Sequence, residues 1–155
     1  MVEIARTIKP KDHLFNRRVS EKFEIERVFW ERRGVDWGIV TEVEINKIIS
    51  HNLSFVFGYY DLSNIDSFTN INDELIRDLV NEFIRRIIDN QKSMREICHT
   101  FDMDMHLESG SGISILKHII CHKYITIDLA QKFDLNKNIE IIKICEDFFK
   151  EEGIV

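Results

Sequence analysis

The sequence predicts an α+β protein that is mainly helical, with a strand–helix–strand unit at its start and a helical domain after it. Apolar and polar residues alternate over the first residues, and a short apolar stretch lies near residue 37. Between these stretches, and over most of the remaining chain, apolar residues recur at helical spacing. The chain has 155 residues, enough for one domain or for a small domain with part of another.

Composition and charge exclude several classes of protein. The hydrophobic fraction of 44% and charged fraction of 31% are those of a globular protein. The sequence contains no run of about 18 apolar residues, so it predicts no membrane span. Three widely spaced cysteines indicate a reducing cytoplasm rather than a disulfide framework. Residues 1–33 carry nine basic and six acidic side chains, and the remainder has a net charge of −9, so only the first part favours a phosphate partner.

The first unit is predicted from three segments. Residues 2–9 alternate like a strand that ends at Pro10. Residues 15–33 have helical periodicity, and Gly34 is placed to cap the helix. Residues 35–41 form a short apolar segment typical of a buried strand. We therefore expect a βαβ unit with parallel strands and a right-handed crossover.

Capping signals organise the middle of the chain. Thr41 and Glu44 have the spacing of a capping box and predict a helix over residues 42–51. The apolar and aromatic residues 53–60 fit either a continued helix or a strand. Residues 61–70 are polar and predict a loop.

Three helices and a short strand are expected next, over residues 73–90, 93–103, 112–122 and 124–128. A last helix over residues 139–150 would bury Ile139, Ile142, Cys145 and Phe149.

Three helices followed by a β segment is the order of a winged helix, whose third helix often enters a DNA groove. Here that helix offers only Lys117, His118, His122 and Lys123 as contacts. Because so few basic side chains are available, a protein partner is favoured over sequence-specific DNA binding. Both kinds of partner remain open at this point.

Three stretches carry the most specific signal: ARTIKP at residues 5–10, VSEKFEIERVFW at 19–30 and GVDWGIVTEVEIN at 34–46. Together they resemble TnsA, the endonuclease subunit of heteromeric transposases. The resemblance continues more loosely through NLSFVFGYY at 52–60 and over residues 113–129.

The resemblance implies two domains. Residues 1–41 would be the C-terminal end of a restriction-endonuclease-like domain, and residues 42–155 a winged-helix-like domain. In that nuclease a Glu and an Asp hold Mg²⁺, and the closing strand adds a polar residue and a Lys two positions apart. Thr7 and Lys9 match this pair, with Thr7 where the family's better-known version has Gln. The family's Glu and Asp precede the strand, so we expect no metal and no DNA cleavage with this chain alone.

The resemblance also implies partners. Residues 42–155 would dock the regulatory ATPase TnsC, and the subunit would work with the transposase TnsB on DNA at transposon ends. Candidate DNA contacts are Arg6, Arg17, Arg18, Lys117 and Lys123. Glutamates flank Arg17 and Arg18, so a salt-bridged surface is the alternative to a phosphate track.

Two other interpretations stay open. One is a small winged-helix DNA-binding regulator without enzymatic activity, and the other is a homodimer formed through residues 53–60. His118 and His122 lie one helical turn apart and could share a metal, but partly buried helix histidines are far commoner, and no CxxC or HExxH motif occurs. We therefore predict no metal ligands.

Overall fold

The computed structural model describes residues 3–88 and 91–145, in two compact units, Met1–Lys47 and Ile48–Val155. The first unit contains strand β1 (Ile4–Ile8), a 3₁₀ turn (Lys11–Phe15), helix α1 (Arg17–Glu31) and strand β2 (Asp36–Val40). The two strands pair in parallel, as the strand–helix–strand pattern predicts.

Helix α1 covers one face of this pair. Phe23 is buried there, and its ring centroid lies 6.2 Å from that of Trp37. Burial alternates along β1, so Ile4 and Ile8 point to the other face, where they are 61% and 71% exposed. The prediction that residues 35–41 are a buried strand is wrong in degree, because β2 is only half-buried and Ile39 is exposed.

The predicted helix over residues 42–51 is displaced. Helix α2 spans Lys47–Phe57, and residues 42–44 form a turn instead. The Glu44 carboxylate accepts hydrogen bonds from both the amide and the hydroxyl of Thr41, at 2.7 and 2.6 Å. The Glu42 carboxylate accepts from the Lys11 amide at 3.0 Å. These contacts close a turn, and the apolar residues 53–57, which fitted helix or strand, continue the later helix.

The second unit is built on three helices, preceded by two short 3₁₀ turns (Leu62–Asn64 and Asp66–Phe68) in the predicted loop. They are α3 (Asp73–Ile88), α4 (Met94–Asp104) and α5 (Ser111–Cys121). Asn72 accepts from the Leu75 amide at 2.8 Å, and Ser93 and Glu96 form the predicted capping box. The core is apolar, with Phe68, Phe83, Phe101, Ile115, Leu116 and Ile119 fully buried.

Two short strands follow the helices, β3 (Ile125–Ile127) and β4 (Ile141–Ile144), paired antiparallel. The expected helix over residues 139–150 is therefore wrong as far as the structure describes it. Ile142 is 63% exposed rather than buried, while Ile139 and Cys145 are half-buried. Phe149 lies outside the described residues. Pairing with β3, a contact distant in sequence, decides the conformation here.

Helix α5 begins in close contact with α4. A Cβ on Gly112 would lie 2.8 Å from the Cys98 carbonyl oxygen, so only glycine allows this approach. The buried Asp102 carboxylate accepts from the amides of Gly110 and Gly112 at 2.7 and 2.6 Å. It caps α5 from a neighbouring helix. No helix in the described part of the chain is long and apolar enough to cross a bilayer.

Candidate functional site

Thr7 and Lys9 lie at the end of β1 on the side that faces α1. Both are half-buried, and the Lys9 amide donates to the Val40 carbonyl at 3.0 Å. The Thr7 hydroxyl donates to the Glu26 carboxylate and accepts from the Trp37 indole nitrogen at 3.1 Å. The pair shares one face, as their spacing predicts. Their catalytic assignment stays a prediction.

Glu26 is a polar residue that sequence reasoning did not single out for function. It belongs to the side of α1 that carries Phe23, where apolar residues would be expected. A half-buried carboxylate among apolar neighbours usually has a hydrogen-bond partner, and Thr7 supplies it. The position of Glu26 in the helical pattern therefore indicated an unusual carboxylate, but its partner Thr7 is 19 positions away and could not be read from that pattern.

Arg6 points to the opposite face of the strand pair. Its guanidinium donates to the Asp36 carboxylate at 2.6 Å and to the Asp36 carbonyl at 2.9 Å. The side chain passes over Gly38, where a Cβ would meet Arg6 Nε at 3.6 Å. Arg6 is thus held across the strands, which lowers its availability for a phosphate.

Arg17 and Arg18 stand at the exposed beginning of α1. Arg17 bonds Glu21 at 3.1 Å with its side chain 94% exposed, so this pair contributes little. Further along, Arg27 bridges Glu24 and Glu31, and the hydrogen bond from Arg27 lowers the pKa of Glu24. Ion pairs of the kind expected for a salt-bridged surface therefore occur on this helix, and the DNA contacts of Arg17 and Arg18 stay a prediction.

The two candidate lysines of the second unit have different surroundings. Lys123 is exposed just after α5, with a left-handed φ of 59°. The Lys117 ammonium lies 4.0 Å from the ring centroid of Phe55 and 4.1 Å from that of Tyr59. Two cation–π contacts hold this half-buried side chain against the protein. Lys117 is therefore poorly placed to read a DNA groove.

His118 and His122 take part in an aromatic stack. Their ring centroids are 4.3 Å apart, and Tyr60 stacks on His122 at 4.3 Å. His122 is also stacked on Tyr124, at 5.3 Å. Burial lowers the pKa of His118. The contact of Tyr60 with His122 joins residues 62 positions apart, which the sequence pattern could not reveal.

No group of three or more His, Cys, Asp or Glu side chains is placed to hold a metal ion among residues 3–88 and 91–145. The family resemblance places the Glu and Asp that hold Mg²⁺ before the closing strand, so the magnesium site stays a prediction.

Comparisons of the sequence with protein families and with curated proteins point to the same family. The family model for the TnsA endonuclease C-terminal domain matches residues 44–129, and the model for the TnsA-like endonuclease N-terminal domain matches residues 1–42. The chain is similar to the Transposon Tn7 transposition protein TnsA of Escherichia coli, with 23% identity over 137 residues. That match covers 87% of this chain and 47% of the relative, so the chain spans about half the length of the curated relative.

Proposed function

Since this chain belongs to the TnsA endonuclease family, we propose that it supplies the closing segment of a transposition nuclease and the domain that docks its regulator. One observation carries the proposal: models for the N-terminal and C-terminal parts of TnsA match successive segments of the chain, residues 1–42 and 44–129. The first segment would contribute to DNA cleavage, and the second would bind the regulatory ATPase TnsC.

We propose a winged-helix-like fold for the second unit. Helices α3, α4 and α5 precede the antiparallel pair β3–β4, which is the element order of that fold. In a DNA reader, α5 would lie in the major groove. No residue of α5 is exposed, however, and Lys117 is held between two rings. This burial argues against the alternative of a DNA-binding regulator that reads DNA through α5.

In the nuclease, Lys9 would carry the catalytic charge of this chain. Its ammonium would stabilise the negative charge that develops on the cleaved phosphate. The Thr7 hydroxyl is engaged by Glu26 and Trp37, so Thr7 would act as a positioning residue that fixes the end of β1. The exposed face with Ile4 and Ile8 would pack against the rest of the nuclease domain. Acidic residues of that domain would complete the site at the end of β1, on the opposite side of the strand, where Thr7 and Lys9 lie.

DNA contact would be non-specific and would fall on Arg17 and Arg18. Both are exposed at one end of α1, and the weak pair of Arg17 with Glu21 can be exchanged for a phosphate. Arg6, in contrast, is bound to Asp36. Such contacts would help the transposase TnsB and the nuclease to act at the same transposon end.

The proposal is tested by titrating the purified chain with the TnsC-type ATPase of the same element, using calorimetry. We expect binding at micromolar concentration, and its absence would contradict the docking role. A parallel titration with duplex DNA is expected to show weak binding that salt abolishes and that sequence does not change. Tight, sequence-dependent DNA binding would instead favour the small DNA-binding regulator.

A further inference from the structure

An exposed apolar stripe borders the core of the second unit. It consists of Leu53, Phe57 and Tyr60, whose side chains are 45%, 73% and 61% exposed. Their neighbours Asn52 and Val56 on α2 are buried, so the stripe lies next to the buried side of this helix. Leu53 and Phe57 are spaced i, i+4 on α2, and Tyr60 lies in the turn just after the helix. Exposed apolar side chains at such spacing are those through which helical surfaces engage partner segments.

A cavity of about 320 Å³ adjoins the stripe at Tyr60. His122 and His118 form part of its wall, and the ring of Tyr60 stacks on His122. His122 Nε2 lies 2.6 Å from the Tyr60 carbonyl oxygen, and His118 Nδ1 lies 2.9 Å from the Tyr59 carbonyl oxygen. Because a carbonyl only accepts, each ring donates a proton there and is held in place.

Two carboxylates give the cavity its charge. Asp61 and Asp73 line it, and Asp61 accepts hydrogen bonds from the hydroxyl and amide of Ser63, which lower its pKa. The residues 48–155 carry eleven basic and eighteen acidic side chains, a net charge of −7. A segment with this net charge favours cations over phosphates, and the two carboxylates place negative charge at the cavity itself.

Resting on the proposed docking function, we propose that this stripe and this cavity form one docking surface for a segment of the regulatory ATPase that presents apolar side chains and an arginine. The apolar side chains cover Leu53 and Phe57. The guanidinium enters the cavity beside Asp61 and Asp73, where a planar cation can also contact the ring of Tyr60. The occupant therefore combines apolar and basic chemistry.

Calorimetry with the purified ATPase and the full chain tests the surface. Phe57→Ala is expected to weaken binding about 30-fold or more, because an exposed aromatic anchor is removed. Asp73→Asn is expected to weaken it about 10-fold at low salt. The matched controls are Met103→Ala, which removes another side chain that is 63% exposed, and Asp78→Asn on α3. Both controls should bind within about twofold of the unchanged chain.

The outcomes separate this surface from the docking role itself. If the unchanged chain binds and both Phe57→Ala and Asp73→Asn bind equally well, the surface is wrong and the docking role stands. If the unchanged chain does not bind the ATPase, both proposals are overturned. A doubled mass in light scattering that Phe57→Ala abolishes would assign the stripe to a second copy of the chain and overturn the proposal.

A small probe tests the cavity separately. N-acetyl-arginine amide is titrated to millimolar concentration while NMR follows the ring resonances of His118 and His122. We expect a saturable shift in the unchanged chain that Asp73→Asn removes and Asp78→Asn retains. Resonances that do not move in the unchanged chain would contradict cation binding in the cavity.

Discussion

Asp102 offers the sharpest test of how the second unit is held together. Asp102 is 5% exposed, and its carboxylate accepts two short hydrogen bonds from amides at the beginning of α5, on Gly110 and Gly112. A hydrogen bond to a charged group contributes about 1.5–3 kcal/mol, and the helix N-terminus adds to it. Burying the charged carboxylate costs desolvation free energy, and the Ala variant avoids that cost, which offsets part of the lost hydrogen-bond energy. For Asp102→Ala we expect a loss of about 4 kcal/mol.

That loss is a large part of the total stability of a domain, about 5–15 kcal/mol. Equilibrium unfolding in urea, followed by far-UV circular dichroism, measures it. Tryptophan fluorescence is unsuitable, because Trp30 and Trp37 both belong to the first unit. The control is Asp104→Ala, whose carboxylate is 52% exposed and pairs with Arg86, with an expected loss below about 1 kcal/mol. Equal losses in both variants would refute the capping role of Asp102.

Three further predictions concern the same unit. Gly112→Ala should lose about 2–3 kcal/mol in urea, because its methyl group meets the Cys98 carbonyl; an unchanged midpoint would contradict this. Burial raises the pKa of Cys98 to about 12, so mass spectrometry should find Cys145 labelled by iodoacetamide at pH 8 before Cys98. Burial lowers the pKa of His118, so below about pH 6.5 the unfolded chain binds more protons than the folded chain. The free energy of unfolding therefore falls as the pH drops. His118→Gln should remove this contribution to the pH dependence, whereas the control His51→Gln should keep it.

The sequence predicts elements well where local signals and burial agree. Ser93 and Glu96 have capping-box spacing, and the residues that follow, Met94 and Ile97, are 0% and 2% exposed. Thr41 and Glu44 have the same spacing, yet they close a turn. The difference is that Val43 is 64% exposed, so a helix beginning there would have little apolar surface to bury. A capping signal therefore starts a helix only where tertiary packing rewards it.

The candidate sites depend on contacts that no local pattern contains. The spacing of Thr7 and Lys9 predicts their common face, but Glu26 and Trp37 as partners of Thr7 require the folded βαβ unit. Tyr60 and His122 are 62 positions apart in the sequence, yet their rings stack and His122 bonds the Tyr60 carbonyl oxygen. Sequence reasoning could name the histidines, but their aromatic partners become visible only in the structure.

The first unit should be much less stable than the second. Among its described apolar side chains, Phe23 is the buried one, whereas Ile4, Ile8 and Phe15 are 61%, 71% and 85% exposed. With so little apolar surface buried between the two strands and α1, the first unit has a small hydrophobic stabilisation.

Hydrogen exchange should therefore label the amides of β1 and β2 within seconds to minutes, while those of α4 and α5 stay protected far longer. Equal protection in both units would contradict this reasoning. Adding the remaining part of the nuclease domain, as a continuous chain or as a second polypeptide, should slow exchange in β1, because it would cover Ile4 and Ile8. Unchanged exchange would mean that this face is not where the nuclease domain is completed.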